Sequence, residues 1–351
     1  MHILHTLLLP LLIPLSWLYG LIIWIRNGLF NFGLFISVSF EIPIISVGNV
    51  TTGGTGKTPM VIYFAKLIES SGYKPGIVSR GYRRNSRGLV MVHDGNRFLT
   101  DVDSAGDEPY LMGKELNTVP IIVCKNRMAG IHELQNNNSV DIVILDDAFQ
   151  NRKIERNVDV IMISAYDKIS DYHLLPWGKL REPLNNLKRA NCVIFTKTNH
   201  CLNSDIYNIL NPYQKKSFIS GTMMPVLMKM DEKGYHKSSP VNEPIFAFCG
   251  IGNPNSFIQS INEVGLTIAG KRIFRDHQIY NPRILQKLSE QVQKRNCRAV
   301  VTTEKDMVKI PERFIQEFIF YVIKIDFVFE NDSNMIDLIK PVFPPSSPQH
   351  C

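Results

Sequence analysis

Apolar and polar positions along this chain fall into two series of blocks. Short, mostly apolar runs recur at 44–47, 76–79, 119–124, 140–145, 158–164 and 192–196. Runs of this length, rich in Val and Ile, predict strands buried on both faces, which is the signature of parallel sheet. After the first run, residues 60–69 carry helical spacing and stop at Ser70-Ser71-Gly72. A second series begins at 245–249, followed by a turn at 250–254, a helix over about 256–264 and a strand at 266–274. A helix over about 282–295 and a strand at 299–303 complete it. Residues 198–240 are more polar and less regular, with a strand at 223–230 before the turn Asp231-Glu-Lys-Gly. The alternating run 318–329 predicts a last strand that pairs with 223–230.

Strand–helix alternation in both series predicts an α/β fold with parallel sheet covered on both faces and the polar loops along one edge. The expected organisation is an N-terminal hydrophobic segment (1–40), a phosphate-loop (P-loop NTPase-like) domain (41–230) and a smaller α/β/α domain that closes over it (231–330). A loose, proline-bearing tail (331–351) ends the chain.

The N-terminus stands apart. From residue 3 to residue 25 no side chain is formally charged, and Arg26 follows. As a helix this run would be about 34 Å long, near the thickness of a bilayer's hydrocarbon. Trp17, Tyr19 and Trp24 are residues of the membrane interface. Pro10 and Pro14 interrupt the run, so a spanning helix, a kinked helix in one leaflet and a buried structural helix all remain open. No basic start and no small-x-small cleavage site argue for a secretory signal. A membrane-anchoring helix, with the body in the cytoplasm, is the expectation.

The remaining composition is that of a globular chain: 351 residues, 44% hydrophobic and 20% charged. Its net charge of +7 suits phosphates, anionic lipid or nucleic acid without choosing among them. Six cysteines with no C-x-x-C spacing suit a reducing compartment and no metal site.

Candidate chemistry centres on residues 44–59, I-I-S-V-G-N-V-T-T-G-G-T-G-K-T-P. A strand, a glycine-rich loop, Lys-Thr and a helix form a phosphate cradle, in which backbone N–H groups and the helix N-terminus face the anion. Lys57 would reach the outer phosphates, and the Thr58 hydroxyl would hold Mg²⁺. Pro59 fits the first helical turn. The strict G-x-x-x-x-G-K-[ST] pattern is not met, because Thr51 stands where its first glycine belongs. Downstream, Asp146 and Asp147 follow a buried strand, where such folds keep the carboxylate for the metal. Lys74, Arg80, Arg83, Arg84 and Arg87 form a basic run with no acid among them at the end of another strand. That is either a solvated face or a surface for an anionic ligand. Residues 101–110 read as an acidic loop able to carry a base. The loop 174–183 presents Arg181, which either closes over a γ-phosphate or pairs with Glu182.

Several segments resemble the tetraacyldisaccharide 4′-kinases, inner-membrane kinases of lipid A biosynthesis. They are S-V-G-N-V-T-T-G-G-T-G-K-T-P (46–59), S-R-G-Y (79–82), G-D-E-P (106–109), Arg127, D-D-A-F-Q (146–150), L-R-E-P (180–183), G-I-G-N-P (250–254), F-R-D-H-Q-I-Y (274–280) and T-E-K-D (303–306). Two departures stand out: Ala148-Phe149 where that family usually has Gly-Leu, and Gln278 where it usually has a second His. The resemblance implies ATP- and Mg²⁺-dependent phosphorylation of a lipid A disaccharide 1-phosphate at its 4′-hydroxyl. Joined to the chemistry of phosphoryl transfer, it implies Asp107 as the base or orienting group, tuned by His277 from the second domain. Lys57 and Arg181 would clamp the β- and γ-phosphates, with Asn49, Thr51, Thr52, Gly53, Gly54, Thr55, Gly56, Lys57 and Thr58 lining the nucleotide. Thr58, Asp146 and Asp147 would serve the metal. Arg80, Tyr82, Arg83 and Arg127 would bind the lipid substrate. The expected partners are this substrate and membrane lipid, not nucleic acid, and a monomer is expected. A membrane-associated ATPase acting as a conformational switch is the alternative within the fold. A non-enzymatic module for nucleic acid or anionic lipid is the alternative outside it, with binding that would survive loss of Lys57 and fall steeply with salt.

Overall fold

The computed structural model describes residues 2–137, 140–165, 167–196, 204–213, 218–231, 234–329 and 333–344. Of the tail expected to be loose (331–351), residues 333–344 are described and are packed. The helix Ser333–Ile339 and the turn Lys340–Val342 bury Met335, Ile339 and Val342 in the main core, and 345–351 lie outside the described residues. The strands are β1 (Ile44–Gly48), β2 (Pro75–Ser79), β3 (Val90–Asp94), β4 (Pro120–Val123), β5 (Ile142–Asp146), β6 (Val158–Ser164) and β7 (Cys192–Thr196). They continue as β8 (Phe218–Asp231), β9 (Gly234–Lys237), β10 (Ile245–Cys249), β11 (Ile268–Ile273), β12 (Ala299–Thr303) and β13 (Ile319–Phe329). The apolar runs thus become strands, most with ends shifted by a residue or two, while β8 starts five residues ahead of the expected 223. The antiparallel edge strand β3 was not expected, because its sequence V-M-V-H-D is half polar.

All these strands belong to one sheet, in the order β11-β10-β12-β13-β8-β7-β6-β1-β5-β2-β4-β3, with β9 beside β8. Strands β7, β6, β1, β5, β2 and β4 run parallel, as do β11, β10, β12 and β13. The long strands β8 and β13 join the two sets. They pair antiparallel from Tyr321 opposite Lys229 to Phe329 opposite Gly221. The second set therefore points against the first. This corrects the expectation of a single polar edge: the carboxyl ends start on opposite edges, and the sheet curls until they face each other. Side-chain contact between Asp107 and His277, described below, is the result.

Helices cover both faces. Helix α2 (Lys57–Ser70) buries Met60, Val61, Phe64, Ala65 and Ile68, one stripe at helical spacing. That stripe seats the helix on the core and aims its N-terminus at the end of β1. Helix α1 (His2–Asn31) continues through Pro10 and Pro14. From Leu8 to Asn31 it is long and apolar enough to cross a membrane by length and composition, and little of it is buried.

Candidate active site

The phosphate loop is held open from below and from one side. Gly48 lets the chain pass against Phe149, for a Cβ there would sit 2.7 Å from the Phe149 Cβ. Asn49 donates from Nδ2 to the Thr55 hydroxyl at 3.2 Å, and its carbonyl accepts from Gln150 at 2.9 Å. Thr196 donates to the Thr55 carbonyl at 3.2 Å. Gly53 (φ 130°) and Gly56 (φ 86°) take backbone angles that other residues rarely adopt. No side chain caps the N-terminus of α2, so its first amides stay free for an anion. Gly53 and Gly54 are exposed at the tip.

Beside the loop runs the 174–183 segment. The Thr52 amide donates to the Lys179 carbonyl at 2.8 Å, and the Arg181 amide donates to the Val50 carbonyl at 2.7 Å. This lacing delivers the Arg181 side chain to Asp147, both of whose oxygens accept from Nη1 at 2.9 Å. Lys57 Nζ lies 3.6 Å from the same carboxylate. Glu182, the other candidate partner of Arg181, is fully buried and is taken by Arg189 at 2.8 Å and Arg26 at 3.5 Å. Burial pushes the Asp147 carboxyl up, but Lys57 and Arg181 more than offset this and hold it below the usual range. Asp146 is the contrast. Its Oδ2 accepts from the Ser79 hydroxyl at 2.7 Å, while burial, and then the charge of Asp147, push it up to about 6.

Asp107 does not lie in a loop, as its acidic surroundings suggested. It opens the helix Asp107–Glu115, behind Gly106 at φ 89°. Its Oδ2 meets His277 Nδ1 at 3.0 Å and Lys309 Nζ at 3.3 Å. Burial raises its carboxyl, but the His277 hydrogen bond and the charges of Lys309 and Lys305 bring it below the ordinary value. The other imidazole nitrogen, Nε2, faces Lys305 Nζ at 3.3 Å. An ammonium only donates, so Nε2 accepts and Nδ1 carries the proton given to Asp107. Lys305 also bridges to Glu108 at 2.7 Å.

His277 is held in a strained left-handed turn (φ 60°), with its amide on the Gly250 carbonyl at 3.0 Å. Under that turn lies Asp306, fully buried. It accepts from the Gly250 amide, the Thr303 hydroxyl and the Tyr280 hydroxyl at 2.8, 2.8 and 3.0 Å. Segments 250–254, 274–280 and 303–306 thus converge on one task, the placing of a histidine. Nothing in the sequence pattern gave Lys305, Lys309 or Asp306 a role, and their spacing marks only the start of a short helix.

The two clusters are neighbours. Asp146 touches Ser79 at the end of β2, and a Cβ on Gly106 would lie 3.2 Å from the Tyr82 carbonyl three residues on. The model of the tetraacyldisaccharide-1-P 4′-kinases matches residues 8–343. The chain belongs to that family. The tetraacyldisaccharide 4′-kinase of Chlorobaculum parvum is 36% identical over 306 residues, 86% of this chain and 84% of that one. The enzyme of the same name from Halothermothrix orenii is 34% identical over 344 residues, 92% of this chain and 89% of that one. The crystal structure of LpxK from Aquifex aeolicus in complex with ATP superposes with a TM-score of 0.76 at 28% identity, covering 97% of this chain and all of that one.

The departures from the family pattern have structural occupations. Phe149 fills the space behind Gly48, with the Arg189 guanidinium 4.5 Å from its ring centroid. Gln278 packs its Cβ where a side chain on Gly250 would stand and turns its amide onto the Ile279 carbonyl. Of the residues expected to meet the kinase's lipid substrate, Tyr82 and Arg83 lie at the dyad. The Tyr82 ring centroid is 5.5 Å from that of His277, and Arg83 donates to the Asp276 carbonyl at 3.0 Å. Arg80 is exposed at the end of β2. Arg127 is turned inward. It is buried and donates to the Cys124 and Lys125 carbonyls at 3.2 and 3.5 Å. That geometry makes it a brace beneath Asp146, whose carbonyl it approaches at 3.5 Å.

Proposed function

We propose that this chain transfers the γ-phosphoryl group of ATP to the 4′-hydroxyl of a tetraacyldisaccharide 1-phosphate, at the inner membrane and on its cytoplasmic face. The observation that carries the reading is the Asp107–His277 pair at 3.0 Å, set beside a complete phosphate cradle in a chain of this family. A pure switch ATPase has no use for a second acid–base pair supplied from the far side of the sheet.

In the transfer, the bond between the γ-phosphorus and its bridging oxygen breaks, and a bond from the sugar oxygen forms. The proton of that hydroxyl goes to Asp107, and ADP leaves. A depressed pKa makes Asp107 a weak base, which suits a loose transition state in which the hydroxyl loses its proton late. Its first duty is therefore to orient the hydroxyl. His277 fixes the carboxylate through Nδ1. Lys57 and Arg181, lent to Asp147 here, would turn to the β- and γ-phosphates.

A magnesium ion fits Thr58 and Asp146, with Asp147 as neighbour or alternative ligand. A hydroxyl and one or two carboxylates beside phosphate oxygens are its ordinary company. Asp146, raised to about 6, is a buried carboxyl with a use for a cation. Bound there, the ion would neutralise charge on the phosphates. Tyr82, Arg83 and Arg80 offer the lipid's sugar and 1-phosphate a stacking face and two cations. Helix α1 keeps the enzyme where its insoluble substrate lies.

The test is incubation with γ-labelled ATP and purified lipid A disaccharide precursor, with chromatography of the lipid. Label in the lipid is expected. Label released only as inorganic phosphate would replace this reading with the switch ATPase.

A further inference from the structure

Helix α1 meets the rest of the protein along one narrow face. Ser16 Oγ donates to the Leu174 carbonyl at 2.9 Å. A Cβ on Gly20 would stand 2.9 Å from Leu174 Cδ1, so the helix passes that side chain as closely as a glycine allows. Asn27 Nδ2 approaches Glu182 Oε2 at 3.4 Å. Between these contacts the Tyr19 hydroxyl donates to the main-chain carbonyl of Arg181 at 2.8 Å. Every one of these partners lies in the segment that carries Arg181.

The backbone of Arg181 is thus pinned on both sides. Its N–H is given to Val50 of the phosphate loop, and its C=O receives the Tyr19 hydroxyl. Where a guanidinium can reach depends on the direction in which its backbone launches it. We propose that Tyr19 is a positioning residue for phosphoryl transfer: its hydroxyl fixes the Arg181 peptide, and through it the arginine's reach over the phosphate loop, so that α1 forms part of the active-site frame. This inference rests on the reading of Arg181 as a clamp on the transferred phosphate. The competing account is a tyrosine that merely satisfies its hydroxyl in an interface.

The two accounts differ in a double-mutant cycle. Tyr19→Phe removes one oxygen and keeps the ring. Single-turnover transfer from γ-labelled ATP to detergent-dispersed lipid precursor, with enzyme in excess, measures even slow variants. Tyr19→Phe is expected to slow transfer by about two- to tenfold, the worth of one hydrogen bond, with vesicle binding unchanged. In an Arg181→Ala background the same substitution is expected to leave the rate within about 1.5-fold. An unaltered rate for Tyr19→Phe overturns the proposal, and so does an equal loss in both backgrounds, which is the mark of a structural role alone. A wild type that labels no lipid overturns the functional reading and this inference together.

Discussion

At the residue scale, Asp107 and Asp146 show how one kind of side chain is set to two tasks. Both are withdrawn from water, which favours the neutral acid. Asp107 has a histidine and two lysines against that cost and remains ionised through the neutral range. Asp146 has one hydroxyl and a second carboxylate beside it, and is raised to about 6. On the proposed reading the first would stay charged to meet a hydroxyl, and the second would take a cation. Asp107→Asn is therefore expected to lower kcat by about 10²- to 10⁴-fold, while ATP binding by titration is unchanged, because the phosphate cradle lies on other elements. His277→Ala is expected to cost about 100-fold at most, the effect of a misplaced group. A larger loss for His277→Ala than for Asp107→Asn would take the role of base away from Asp107. Motif residues revealed the place of Asp107 but not its setting. Lys305 and Lys309 reach Glu108 and Asp107 from a segment about two hundred residues away, and a contact so distant in the chain leaves no mark in a hydrophobic pattern.

At the scale of elements, the strands were legible and the polar helices were not. A strand buried on both faces is apolar along most of its length. So β5, β6, β7, β10 and β12 could be read to within a residue or two, even though β6 buries Asp159 and β12 buries Thr302. The helix Asp107–Glu115 buries only Pro109, Met112 and Gly113, and its sequence looks like a solvated loop. One end of that helix carries Asp107. The other carries Glu115, which pairs with Lys66 of α2 at 3.5 Å and more closely with Lys324 of β13. Glu304 lies against that group, with its carboxylate at 3.4 Å from the Ile325 amide. Burial, and then Glu115, push it from 4.5 up to about 8, despite the opposing charge of Lys324. Between those two values the folded chain holds a proton that the unfolded chain has released. Stability due to this group must then fall as pH rises from about 4.5 to about 8 and level off beyond. Glu304→Gln stays neutral throughout. Its melting temperature is expected to decline less than that of the wild type over this window, most visibly on the alkaline side. Parallel declines would mean that Glu304 does not titrate there.

At the scale of the whole molecule, three bodies of structure share one site. The first parallel set brings the phosphate loop, and the second, reversed by the β8–β13 pair, brings His277 to Asp107. Gly56 is packed against Met223 of β8 and Phe327 of β13, so the glycine-rich loop sits on the strands that join the two sets. Helix α1 is the third body, and its two faces separate two roles. Ser16, Tyr19, Gly20, Ile23 and Asn27 recur at helical spacing on the inner side. Leu18, Leu21, Ile22 and Ile25 look outward, as do Trp17 and Trp24 at 70% and 72% exposure. Water does not favour such a surface, and a bilayer does. Replacing Leu18 and Ile22 together by Glu alters only the outer face. The protein is expected to move from the pellet to the supernatant in vesicle sedimentation, while transfer to detergent-dispersed lipid continues at the wild-type rate. Deleting residues 1–25 removes both faces and is expected to abolish vesicle binding and slow transfer as well, since the segment bearing Arg181 then loses Ser16 and Tyr19. If the double Glu variant still sediments with vesicles, the contact with lipid lies elsewhere. If the deletion variant transfers phosphate as fast as the full chain, α1 serves as an anchor alone.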